Sequence, residues 1–470
     1  MISLTLAEIA VATEGKLLNS NDAQQVINSV CTDTRNITEG CLFIALQGES
    51  FDAHEFLVNA QRLGAAAQLV HQRTKTEQPT ILVKDTRIAL GLLSAFVKAK
   101  IDNLKCAAIT GSNGKTTTKE MLSAILNEFS PSKDSVLATA GNFNNDIGLP
   151  LTLLRLTEKN NFAIVELGAN HKGEIAYTAN LAKPDVALIN NVMPAHLEGF
   201  GSIEGVAKAK GEIWSSLTQC GTGVVNLDAK FSEDFIKQLN AQKSHVFTFS
   251  QTDCDATVYA TDVEYDQLGN ASFTLHYQQQ SEKVSLNVAG KHNVSNALAA
   301  ASLAIVLGCN LPCISKGLAQ LIGVAGRVNS TLVNDKLLLI DDSYNANSSS
   351  LKAAIDLLMQ CAGDKVLIFA DMGELGKYEQ QEHRSVGEYA AQKGIDTLLT
   401  VGILTQFTLQ AFSQLSDKQA LHFTDKSGLK AYLKPYLQKS SNKKLTILVK
   451  GSRSAKMEEI VAFIKQPQIG

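Results

Sequence analysis

Apolar and polar positions change rhythm along these 470 residues, and each change predicts a different set of elements. From residue 1 to about 84, short apolar runs alternate with polar turns. Residues 40–46 read as a strand, the alanine-rich stretch 56–67 as a helix, and 81–83 as another strand. A long amphipathic helix is predicted to begin at Lys84-Asp85-Thr86. From about 86 to 323 strands and helices alternate, the pattern of a mostly parallel sheet; the apolar runs 106–110, 162–166 and 186–189 are its clearest strands. Residues 251–289 break that rhythm with alternating segments such as Ala271-Ser272-Phe273-Thr274-Leu275, which predicts an antiparallel annex. From about 324 a third strand–helix series follows, with strands at 337–340, 366–370, 397–401 and 445–449. Asp341, Asp342, Asp371 and Lys450 fall just past those strands, on the edge where open parallel sheets bind ligands. No internal repeat or low-complexity tract interrupts the series.

Composition narrows the class without naming a chemistry. Hydrophobic residues make up 45% and charged residues 19%, as in an ordinary globular protein too long for one core. A net charge of −3 offers no broad basic surface, so no nucleic-acid partner is expected. No membrane span is predicted, and the N-terminus, broken by Glu8, does not read as a secretory signal. The eight cysteines are scattered without zinc spacing, which fits a reduced, cytoplasmic protein.

The chemistry begins at Thr110-Gly111-Ser112-Asn113-Gly114-Lys115-Thr116-Thr117, between an apolar strand and a helix over 116–129. Loop amides and the helix N-terminus can hold an anion, Lys115 can reach the outer phosphates, and a threonine hydroxyl can hold Mg²⁺. The full phosphate-loop pattern has glycine where Ile109 stands, so a variant nucleotide loop is expected rather than a plain GTPase or transporter ATPase. Glu166 ends the next strand and suits Mg²⁺, or is an ordinary strand-end acid. His196 follows Asn190-Asn191; beside Mg²⁺ a lone histidine is more often structural. Lys208 and Lys210 read as a solvated helix face. Asn142, Asn144 and Asn145 suit recognition of a polar substrate, although turns favour the same residues. Gly290-Lys291-His292-Asn293 with Asn296 reads either a base and ribose or a helix cap.

The order of these segments resembles the Mur ligases over nearly the whole chain. The matching stretches are Gly141-Asn142-Phe143-Asn144-Asn145-Asp146-Ile147-Gly148, Glu166-Leu167-Gly168-Ala169-Asn170-His171, His196-Leu197-Glu198-Gly199-Phe200-Gly201 and Ala207-Lys208-Ala209-Lys210-Gly211-Glu212-Ile213. In the last third they are Asp341-Asp342-Ser343-Tyr344-Asn345-Ala346-Asn347, Asp371-Met372-Gly373-Glu374-Leu375-Gly376 and Lys450-Gly451-Ser452-Arg453-Ser454. Within the family the chain looks like the member that adds D-alanyl-D-alanine to UDP-N-acetylmuramoyl-tripeptide with ATP. The resemblance implies an α/β protein of three domains: a small α/β substrate domain (1–85), a central P-loop-type ATPase domain with a mostly parallel sheet (86–323) and a C-terminal Rossmann-like domain (324–470).

It also implies residue roles. Gly111 to Thr117 cradle ATP; Lys115 screens its β/γ-phosphates; Thr116 and Glu166 hold one Mg²⁺; His196 joins a second metal site. Lys210 matches the position where related ligases carry a carbamylated lysine, a bare lysine paired with phosphate being the competing reading. Asn296, Arg327, Asp342, Tyr344 and Asn345 belong near adenine and ribose, with Arg327 at the hinge to the third domain. Asp33, Thr34, Arg35 and Gln47 resemble the UDP-sugar segment, although Arg35 and Asp33 can instead form a surface pair. Lys450, Ser452 and Arg453 are candidates for the peptide or dipeptide carboxylate. A cytoplasmic monomer is implied; lysine or diaminopimelate at the tripeptide's third position stays open.

The alternatives are a folylpolyglutamate-type ligase and a nucleotide switch. The segments at 33–35 and 142–146 speak against the first. Against the second, the one Asn-Lys pair, Asn442-Lys443, lacks the aspartate of a guanine reader.

Overall fold

The computed structural model describes residues 1–439 and 443–466. Asn442 and the last four positions of the expected third domain lie outside the described residues.

The first sheet runs in space Lys16–Leu18, Thr80–Leu82, Ala67–Val70, Leu42–Ile44, Val30–Cys31, antiparallel at its first pair and parallel elsewhere. The helix expected over 56–67 is shorter, Leu57–Arg62, and Ala67 opens a strand. Alanine favours helix over strand, but by well under about 1 kcal/mol per residue, and pairing Ala67–Val70 between two neighbouring strands outweighs that preference. The helix Thr86–Ala99 begins where expected because the Asp85 carboxylate accepts the Arg87 and Ile88 N–H groups. Its Ala89, Leu90, Leu93 and Val97 lie in one continuous core with Leu42 and Leu69 of the first sheet and Val165, Ile189 and Trp214 of the central part.

The central sheet has nine strands in the order Val136–Ala138, Phe162–Glu166, Lys105–Thr110, Val186–Ile189, Thr222–Asn226, His245–Ser250, Val258–Tyr265, Asn270–Tyr277, Gln280–Ala289. The anticipated annex is part of this sheet: Val258–Tyr265 pairs in parallel with His245–Ser250, and only the last two pairings are antiparallel. Lys105–Thr110 sits between Phe162–Glu166 and Val186–Ile189, all parallel, so Thr110, Glu166 and Asn190 arrive at one sheet edge. The helices Lys115–Phe129, His292–Val306 and Leu311–Gln320 cover one face.

The third sheet is ordered Asn329–Asn334, Leu337–Asp342, Leu445–Lys450, Asp364–Ala370, Thr397–Val401, Gln419–Phe423, parallel except for its first pair. The two outer strands were not anticipated. Asp371, expected at the ligand edge, instead accepts the N–H groups of Ile403, Leu404 and Thr405 and so caps the helix Thr405–Leu415.

Candidate active site

The loop after Lys105–Thr110 is fixed from below by amides. Gly114 has a left-handed backbone (φ 78°), and a Cβ there would collide with the side chains of Asn190 and Asn296. Asn191 Oδ1 accepts the Asn113 N–H at 2.9 Å, and Asn190 and Asn191 both donate to the Asn113 carbonyl at 3.0 Å. Ser112 donates to the Met193 carbonyl at 3.0 Å. Asn190 also donates to Asn296 Oδ1 at 2.9 Å, and Asn296 donates to Asn293 Oδ1 at 2.8 Å. Asn296, expected near adenine or ribose, is buried beneath the loop and occupied by these bonds.

Above the loop, the charged groups converge. Lys115 Nζ donates to the Gly111 carbonyl at 2.8 Å, and burial lowers its pKa, Glu166 opposing and Arg327 reinforcing the shift. Thr116 Oγ1 donates to Glu166 Oε2 at 2.8 Å, and Asn144 donates to Glu166 Oε1 at 2.9 Å. Glu166 is 2% exposed, with both carboxylate oxygens held by these bonds. Thr117 is partly exposed on the first helical turn. Lys210 is buried, and no hydrogen bond or ion pair reaches its ammonium among the described residues. Burial, and then the like charge of Lys115, pull its pKa well below the usual lysine value.

The third sheet contributes from the opposite side. Asp342 and Lys450 are register partners on adjacent strands, with Nζ 2.5 Å from Oδ2; Lys450 also donates to the Asn345 carbonyl at 2.9 Å. Burial pushes Asp342 up, against the pull of Lys450 and Arg327. Lys450 is thus turned inward at 2% exposure, rather than free for the peptide carboxylate expected of it. Arg327 lies 4.2 Å and Arg453 5.3 Å from the Tyr344 ring centroid, so guanidinium groups cover the aromatic expected to stack on adenosine. Ser452 is buried against Ser454, and Asn345 is exposed, accepting the Ala346 N–H. Among the described residues, two polar side-chain contacts cross to the central domain. Asn347 Nδ2 donates to Asn113 Oδ1 at 2.7 Å, and Glu374 Oε2 lies 2.6 Å from His196 Nδ1. Asn347 and Glu374 sit inside singled-out motifs, but neither had a role; their partners are remote in sequence and no local pattern links them.

The remaining candidates lie apart from the loop contacts. Arg35 and Asp33 form the surface pair at 2.6 Å, and the guanidinium holds Asp33 down to about 2. Thr34 is partly exposed beside them, and Gln47 is exposed, bridged to Asp52. Asn142 is exposed, whereas Asn145 accepts the N–H of Gly148, the first residue of the helix Gly148–Leu153.

The chain as a whole is similar to known proteins. The Mur ligase middle domain matches residues 109–304, and the Mur ligase, glutamate ligase domain matches residues 326–453. The UDP-N-acetylmuramoyl-tripeptide--D-alanyl-D-alanine ligase of Escherichia coli (strain K12) is 43% identical over 466 residues, 99% of each chain. The crystal structure of MurF from Acinetobacter baumannii superposes with a TM-score of 0.92 at 36% identity, covering 99% of this chain and 100% of that one. MurF ligase from Thermotoga maritima in complex with ADP superposes at 0.80 with 25% identity, over 93% and 97% of the two chains. The chain belongs to the Mur ligase family.

Proposed function

We infer that the protein adds D-alanyl-D-alanine to UDP-N-acetylmuramoyl-tripeptide at the expense of ATP, making the pentapeptide precursor of peptidoglycan. The observation that carries the chemistry is the Thr116–Glu166 contact of 2.8 Å beside Lys115, at the mouth of the phosphate loop. A terminal carboxylate oxygen attacks the γ-phosphorus, ADP leaves, and an acyl phosphate forms. The dipeptide amine then attacks the acyl carbon, and the tetrahedral intermediate expels inorganic phosphate as the amine loses its proton. Both steps ask the protein chiefly to position reactants and neutralise charge.

In this reading the loop amides, Lys115 and Thr117 bind the phosphates, and Arg327, Asp342, Tyr344 and Asn345 stand on the nucleoside side. Asp33, Thr34, Arg35 and Gln47 meet the UDP-sugar, and Asn142 and Asn144 the peptide. Arg453 and Ser452 are the remaining candidates for a carboxylate. No three-residue cluster of His, Cys, Asp or Glu gathers among the described residues. Two hard oxygens at Thr116 and Glu166 nevertheless suit Mg²⁺, which keeps waters and substrate phosphates as its other ligands. When bound, Mg²⁺ would offset the repulsion between γ-phosphate and acceptor carboxylate; Thr116 and Glu166 are assigned to hold it, with His196 at a second position. The depressed pKa of Lys210 favours the neutral amine that carbamylation requires. We take the protein as a cytoplasmic monomer; among the described residues no helix is long and apolar enough to cross a membrane.

The test is phosphate release from Mg-ATP with UDP-N-acetylmuramoyl-tripeptide, in its lysine and diaminopimelate forms, with and without D-alanyl-D-alanine. Release that needs the dipeptide, with a UDP-pentapeptide by mass spectrometry, is the expected result. Release indifferent to both substrates, or product only with a folate acceptor, removes the assignment.

A further inference from the structure

His196 sits between the strand Val186–Ile189 and the short helix Leu197–Phe200, with a left-handed backbone (φ 52°). Its Nδ1 is closed off from solvent and has no aligned hydrogen bond, although 28% of the side chain is open. The exposed part is therefore the rest of the ring. A buried imidazole nitrogen rarely stands alone, and the polar group beside this one is Glu374 Oε2 at 2.6 Å. The Phe200 ring meets the imidazole edge-on at 6.5 Å.

Glu374 comes from the third domain, in the loop after Asp364–Ala370. That loop is seated, not adrift. Gly376 lies against Glu198, where a Cβ would stand 3.3 Å from the glutamate Cβ, and Tyr378 packs on the core shared by the first two sheets. The carboxylate is thus delivered to His196 by an interface with its own packing.

An imidazole that serves a cation does so through one nitrogen, and the nitrogen beside a carboxylate is the one that keeps the proton. We propose that Glu374 is a positioning residue that holds the proton on His196 Nδ1 from across the domain boundary, leaving the Nε2 lone pair available on the open side of the ring. The proposal rests on the cation role assigned to His196 above. It makes docking of the third domain and readiness of His196 a single event: with the domain undocked, the imidazole loses its carboxylate and exchanges between tautomers.

The experiment uses the full chain with E374Q, E374A, H196A and the E374A/H196A pair. First, ¹⁵N-histidine spectra are recorded without metal or substrate at a pH where imidazoles are neutral, with the His196 signals identified by their loss in H196A. The wild type is expected to show the Nδ1–H tautomer at His196, and E374A a mixture. Second, in the ligase assay kcat is expected to fall about 10- to 100-fold in E374A while KM for ATP moves less than about 3-fold, the size of loss seen when a ligand histidine's carboxylate partner is removed. E374Q, which keeps the volume and an acceptor oxygen, should recover part of the rate. The double variant should be no slower than H196A alone. An unchanged His196 tautomer in both Glu374 variants, or losses that multiply independently of His196, overturns the proposal. A wild type that makes no peptide product overturns the ligase reading instead, and the tautomer spectra still decide the role of Glu374.

Discussion

Single side chains here often face away from the partner their type suggests. His292 opens the helix His292–Val306 with its ring against Gly290, near Lys450. Burial, and then the charge of Lys450, bring its pKa down from the ordinary 6.5 to about 4. The folded protein therefore refuses a proton that the unfolded chain accepts. Stability from this group is complete above about pH 6.5, is lost as the pH falls towards 4, and changes no further below that. The shift corresponds to at most about 3 kcal/mol, and less for a ring partly open to water. Urea midpoints at pH 7.5 and 4.5 should differ less for H292Q than for the wild type; equal differences would remove His292 as a source of acid sensitivity. Lys450 and Asn296 teach the same lesson. Residue type and position at a strand end or helix start made them ligand candidates, but whether a polar head turns outward or towards a buried Asp342 or Asn190 depends on neighbours brought in by the fold.

At the scale of elements, legibility followed burial. Phe162–Glu166 and Val186–Ile189 are buried along their whole length, and their apolar runs announced them. Gln419–Phe423 and Asn329–Asn334 lie at sheet edges with half-exposed patterns, so their sequences carry little of a strand's signal. The loop between Lys105–Thr110 and Lys115–Phe129 was legible because its glycines, Lys115 and Thr116 form one contiguous segment. Its support was less so. The helix Leu311–Gln320 crosses Lys115–Phe129 so closely that a Cβ on Gly317 would lie 2.5 Å from the Ile125 Cα. Alanine usually gains about 1 kcal/mol over glycine inside a helix. Here the contact is with backbone, which cannot move aside, and overpacking costs about 1–3 kcal/mol. G317A is expected to be net destabilised in a denaturant melt and, because the displaced helix begins at Lys115, to bind ATP more weakly. A stabilised G317A with normal ATP affinity would show that the two helices separate freely.

For the whole molecule, the third domain is tied to the phosphate loop through Asn347. That residue has two duties: its Oδ1 caps the helix Ser348–Gln360 through the Ser350 N–H, and its Nδ2 reaches Asn113. Serine keeps the first and is too short for the second. N347S should therefore melt close to the wild type while its KM for ATP rises several-fold, since one hydrogen bond contributes about 1 kcal/mol. An unchanged KM would mean that the tie does not survive nucleotide binding. Such long-range ties, like Glu374 to His196, were the least legible part of the site, because they exist only once separate sheets have met.

The helix Thr86–Ala99 leaves a different mark on the molecule. Since its apolar face joins the first sheet and the central sheet in one core, these two do not form hinged halves. A substitution that loosens Leu42 or Leu69 disturbs the core that also holds Val165, next to Glu166, so a fault in the first sheet reaches the loop carrying Lys115 and Thr116. Inheritance is constrained in the same way: the first eighty-odd residues cannot be exchanged for those of another ligase as a cassette unless this helix is exchanged with them.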